Sequence, residues 1–126
     1  MDLLDKYKEV LNKISKIDDV LAIFIFGSYI TKKNNKLSDL DVSVLIKDNS
    51  NKNIQEEILS YSNKDLDINI FNNLPIYLKY KIITEGKVFY QKIDVRMIKK
   101  NVMIEWLDFK PHLIKQYKRK YGVIKL

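Results

Sequence analysis

Apolar residues recur in the first segment at Leu3, Leu4, Tyr7, Val10, Leu11, Ile14 and Ile17, which predicts a one-faced helix that Asp2 can cap. The run VLAIFIF, Val20 to Phe26, is nearly continuous and rich in β-branched and aromatic residues. It predicts a buried central strand. Gly27 and Ser28 end that strand, and YITKKNNK then predicts a short helix followed by a polar loop. Next, Leu40, Val42, Val44 and Ile46 alternate with Asp39, Asp41, Ser43 and Leu45, the mark of a strand with one face in the core.

NKNIQEEILSYS carries Ile54, Ile58, Leu59 and Tyr61 at helical spacing. DLDINIF alternates again, with Leu66, Ile68 and Ile70 on one face and Asp65, Asp67 and Asn69 on the other. Pro75 suits the first turn of a helix running to about Glu85, which Gly86 would end. KVFYQ is a short strand. From Asp94 to Phe109, the residues Val95, Ile98, Val102, Trp106 and Phe109 share one stripe of a long helix, which Pro111 is expected to interrupt. The order is α-β-α-β-α-β-α-β-α, with a mixed sheet. No repeat, low-complexity block or linker breaks it, so residues 1–126 are expected to form a single domain, with a basic tail from about residue 112.

Composition narrows the function. There is no cysteine, which removes disulfides and thiolate metal sites. MDLLDKYKEV does not have the form of a signal peptide, and no apolar run could span a bilayer. A cytoplasmic protein with no membrane partner is expected. The net charge of +7 favours an anionic partner without choosing one.

The chemistry concentrates between Phe24 and Ile46. Asp39 and Asp41, two apart on a strand, point the same way. Two ionised carboxylates on one face repel each other, whereas divalent cations bring such groups together. Mg²⁺ is commonly held by one or two carboxylates plus substrate phosphates. Asp67 joins them if its strand lies next to theirs; it would then ligate the ion nearer the nucleophile and accept a hydroxyl proton. Gly27 lets the backbone approach a phosphate, the Ser28 hydroxyl can bond a phosphate oxygen, and Lys32 or Lys33 adds positive charge. Tyr29 follows Ser28 and is a candidate to line the nucleotide pocket. His112 has no partner at ligand spacing, Trp106 reads as a packing residue, and KQYKRKY reads as a solvated face ahead of a nucleic-acid contact.

Gly27-Ser28, ten residues and then Asp39-Leu40-Asp41 resemble the signature of the DNA polymerase β-like nucleotidyltransferases. The small size, FGSY, SDLDVSVLI, LDINIFNNLP and the DFKP of EWLDFKPHL resemble the minimal nucleotidyltransferases, or MNT proteins. The resemblance extends from about Val20 to Leu113. It implies an α/β (α+β) fold, a mixed twisted sheet with helices packed mainly on one side. It also implies transfer of AMP from ATP to a tyrosine hydroxyl of a HEPN-type RNase toxin, with the protein acting as antitoxin. Asp39, Asp41 and Asp67 would be catalytic and would hold Mg²⁺, expected as two ions. Gly27, Ser28, Tyr29 and Lys32 would bind the nucleotide. Ile30-Thr31-Lys32 stands where many relatives have Ala-Arg-Gly, so lysine is expected to replace the arginine. The alternatives are an antitoxin that neutralises by complex formation without catalysis, or a nucleotidyltransferase acting on RNA or a small molecule.

Overall fold

Val20–Phe26 forms β1, one of the two inner strands of a four-stranded sheet of order β3-β2-β1-β4. This computed structural model describes residues 3–27 and 39–121. Asp2, Ser28, Tyr29, Lys32 and the expected helix at YITKKNNK lie outside the described residues. β2, Leu40–Ile46, runs antiparallel to β1, with Phe24 opposite Ser43 and Phe26 opposite Asp41. β3, Leu66–Ile70, is parallel to β2, with Asp41 opposite Asp67 and Ser43 opposite Asn69. β4, Lys87–Gln91, closes the other edge antiparallel to β1. The sheet is therefore mixed, as expected.

Helices cover both faces. α1, Leu3–Ser15, buries Tyr7, Leu11 and Ile14, and α2, Lys52–Leu59, buries Ile58, against Ile23, Ile25, Leu40, Val42, Val44 and the even residues of β3. α2 is also the crossover that a parallel β2–β3 pair requires. Its start is fixed by Asn51, whose side chain accepts from the Ile54 N–H at 3.0 Å. On the opposite face, α3, Ile76–Glu85, and α4, Val95–Tyr121, pack on Ala22, Phe24, Leu45 and Phe71 through Ile76, Ile82, Ile83, Val95 and Val102. The expectation of helices mainly on one side is thus corrected. β1 is apolar at both parities, so each face of the sheet needs a cover.

One further expectation changes. α4 continues through Pro111 instead of stopping there. The proline withdraws one N–H and crowds the carbonyl four residues back, that of Leu107. Both residues lie on the exposed side of the helix, where water can meet the lost bond. Gly86 ends α3, as expected, and its φ is −80°. Its need for glycine is space. A Cβ there would stand 2.6 Å from the Ile82 carbonyl oxygen and 2.9 Å from that of Ile25.

Side chains tie the ends of the sheet. Asn72, in the 3₁₀ turn Phe71–Asn73, donates to the Ile46 carbonyl at 2.8 Å and accepts from its N–H at 3.0 Å. Trp106 stacks on Tyr80 with ring centroids 4.8 Å apart, joining α4 to α3. It is half-buried among apolar residues, in line with a packing role. His112 is exposed on α4. No helix among the described residues is long and apolar enough to cross a membrane.

Candidate active site

Strand directions bring the acids and the glycine together. β1 ends at Phe26, where antiparallel β2 begins, and β3 begins beside β2 in the same direction. Gly27, Asp41 and Asp67 therefore meet at one end of the sheet. Leu40, Val42 and Val44 point into the α1–α2 core, so Asp41 and Ser43 point to the α3–α4 face. On β3, Asp67 and Asn69 share that face for the same reason. Two cross-strand rows result: Phe26–Asp41–Asp67 at the rim, and Phe24–Ser43–Asn69 one step inward.

α3 roofs these rows. A cavity of about 250 Å³ is lined by Phe26, Gly27, Asp41, Asp67, Asn69, Leu74, Leu78, Lys81 and Ile82. Two of the three proposed acids thus share one cavity with the glycine. Asp39 is exposed just before β2, and its charge is felt by Asp41.

Asp41 is the perturbed group. Burial, then the charges of Asp67 and Asp39, push its carboxyl up to about 6, while the Lys81 ammonium pulls in the other direction. Gly27 explains how the turn comes so close. Its φ is +82°, in the left-handed region, and a Cβ there would run into the Asp41 carboxylate. The glycine leaves room for that carboxylate at the mouth of the cavity.

The donor set suits a hard cation. Asp41 and Asp67 are opposed carboxylates on neighbouring strands, which lie about 4.8 Å apart in a sheet. Asn69 lines the same cavity, and its Oδ1 is buried without a hydrogen-bond partner among the described residues. Among the described residues no three acid, histidine or cysteine side chains form a closed metal cage. The pair is an open oxygen site, of the kind that Mg²⁺ shares with water and phosphate.

Sequence reasoning brought Asp41, Asp67 and Gly27 to this place and missed Lys81, Leu74 and Leu78. Their signal was helical spacing. Leu78, Lys81 and Ile82 fall on one face once a helix begins after Pro75, and Leu74 lies just ahead of it at the end of the 3₁₀ turn.

The profile of the family described as "Polymerase beta, Nucleotidyltransferase" matches residues 6–95, which include β1, β2, β3 and every described residue of this cavity. The chain belongs to that family. As a nucleotidyltransferase, it is similar to a Methanocaldococcus jannaschii protein provisionally named a protein adenylyltransferase, with 37% identity over 71 residues. That match covers 56% of this chain and 56% of the relative, so the chain spans just over half the length of the curated protein it matches. The nucleotidyltransferase also shares its fold with solved structures. One is a chain of a toxin–antitoxin crystal structure with AMP-PNP, at a TM-score of 0.61 and 19% identity, covering 91% of this chain and 92% of that one. Another belongs to the complex of a tri-AMPylated Shewanella oneidensis HEPN toxin with its MNT antitoxin, at a TM-score of 0.57 and 20% identity, covering 94% of both chains.

Proposed function

We propose that this chain is a protein adenylyltransferase that moves AMP from ATP to a tyrosine hydroxyl of a HEPN-type RNase toxin and so acts as its antitoxin. The observation that carries the proposal is the Asp41–Asp67 pair, opposed on adjacent strands beside Gly27 in one cavity. The relative named as a protein adenylyltransferase and the fold shared with toxin–antitoxin chains support the choice of nucleotide and partner.

The reaction forms a bond from the tyrosine oxygen to the α-phosphorus of ATP and breaks the bond from that phosphorus to the bridging oxygen. The electron pair leaves with pyrophosphate, and the hydroxyl proton goes to a base. Asp67, exposed at the rim, accepts that proton and faces the incoming hydroxyl. Asp39 and Asp41 hold the nucleotide side, and with Asp67 form the set that would bind Mg²⁺, expected as two ions. When bound, the ions neutralise phosphate charge and lower the pKa of the attacking hydroxyl. Gly27 admits the phosphates close to the backbone, and Ser28, Tyr29 and Lys32 complete the nucleotide contacts. The apolar walls at Leu74 and Leu78 keep water from one side of the cavity.

The test is transfer of label from α-labelled ATP to a candidate HEPN partner in Mg²⁺, beside an Asp39→Asn/Asp41→Asn control. Label on the partner that the control loses establishes protein adenylylation. An unlabelled but inhibited partner in a stable complex points to neutralisation by binding. Label on tRNA instead of protein moves the acceptor to RNA.

A further inference from the structure

The cavity at the sheet end brings acids towards a substrate that is itself a polyanion. Asp41 and Asp67 line it, and Asp39 adds its field. Asp41 stands opposite Asp67 on the neighbouring strand, so further negative charge placed there meets like charge. A triphosphate placed beside these groups needs fixed positive charge from the protein as well as from its counter-ions.

Among the described residues lining the cavity, Lys81 is the cation. It extends from the face of α3 that also carries Leu78 and Ile82, which line the same cavity. Its charge reaches Asp41, yet it makes no ion pair within 4.0 Å among the described residues. An ammonium held near two carboxylates but bonded to neither keeps its donors for another acceptor. Its side chain is exposed, so removing the charge leaves no buried group stranded.

We infer that Lys81 is a substrate-binding residue whose ammonium donates to the phosphate oxygens of the nucleotide, from the α3 side of the cavity and opposite the Gly27 turn. The assignment rests on the nucleotidyl-transfer reading of the same cavity. It gives the nucleotide two walls of different chemistry: backbone and carboxylates on the sheet side, a mobile cation on the helix side. Lysine serves as a point charge here, so recognition follows charge more than the planar geometry an arginine would impose.

The test is calorimetric binding of a non-hydrolysable ATP analogue, and separately of adenosine, in Mg²⁺ to the wild type, Lys81→Met and Lys81→Arg. Lys81→Met should weaken analogue binding roughly tenfold, the loss of one charge-assisted bond, and leave adenosine binding unchanged. Lys81→Arg should recover most of the affinity, and the urea midpoints of all three proteins should coincide. Equal analogue affinity in Lys81→Met and wild type overturns the assignment while leaving the nucleotidyltransferase reading intact. Equal loss for adenosine and analogue overturns it too, because the charge would not be what is read. Failure of the wild type itself to bind the analogue removes the reading of the cavity and the role of Lys81 together.

Discussion

Asp41 and Asp67 stand directly opposite each other on parallel strands, 26 positions apart in sequence and one strand spacing apart in space. Such a pair costs stability when both groups are ionised without a counter-ion. Burial first, then the charges of Asp67 and Asp39, place that cost on Asp41, whose carboxyl is pushed up to about 6 from an ordinary 3.8. Its folded pKa is raised, so the folded state holds the proton more tightly than the unfolded chain does. The resulting stabilisation is complete below about pH 4 and is lost as pH rises through 6. In chelator, urea unfolding should therefore show this contribution falling by about 1 kcal/mol between pH 4 and 7, a figure reduced for the half-exposed carboxyl. Asp41→Asn should abolish that component, and saturating Mg²⁺ should offset it in the wild type. An identical pH profile in Asp41→Asn would contradict the account.

Gly27→Ala should damage the site more than the fold. A left-handed φ costs an L-residue about 1–2 kcal/mol, and the new methyl must displace the Asp41 carboxylate. The expected outcome is a drop in unfolding free energy of that size together with loss of nearly all Mg²⁺-dependent nucleotidyl transfer. Unfolding and label incorporation on the same preparation check both.

Gly86→Ala should behave in the opposite way. Its Cβ would meet two backbone carbonyls, of Ile82 and Ile25, so α3 and β1 must separate. A loss of about 2–3 kcal/mol is expected, comparable with overpacking a core. The protein that remains folded should keep its nucleotide affinity, because Gly86 lies outside the lining of the cavity. A denaturant midpoint measured beside analogue binding tests the contrast.

Trp106 and Tyr80 couple α4 to α3 through stacked rings. A double-mutant cycle with Trp106→Leu and Tyr80→Leu should return about 1 kcal/mol of interaction. Trp106 is also the sole tryptophan of the chain, so its fluorescence reports directly on whether the two helices part before the sheet melts. A coupling near zero would mean that the stack contributes only through its buried area.

Much of this was legible because a strand has a period of two. The alternation in DVSVLI and LDINI set Asp39 with Asp41 on one strand face, and Asp67 with Asn69 on another, before any contact was known. Whether β2 and β3 were neighbours was not in the pattern; the parallel pairing that sets Asp67 against Asp41 comes from the tertiary fold. Lys81 was missed for a related reason. Periodicity gives the face of α3 but not the strand end over which that face lies. The course of α4 through Pro111 depends on exposure, which the local sequence does not state, and the requirement at Gly86 is set by β1, some sixty residues earlier.

The row Phe26–Asp41–Asp67 draws one residue from each of three strands, and α3 lies over it. During synthesis the first acids emerge with no opposing carboxylate and no roof. The opposed carboxylate pair exists only after α2 has crossed over and β3 has docked, and the cavity closes only when α3 follows. A ribosome-bound fragment ending before β3 thus carries Asp41 without the carboxylate that stands opposite it in the finished sheet. The cavity is thus completed in two steps, the docking of β3 and then of α3, and β4 and α4 follow them in the described chain.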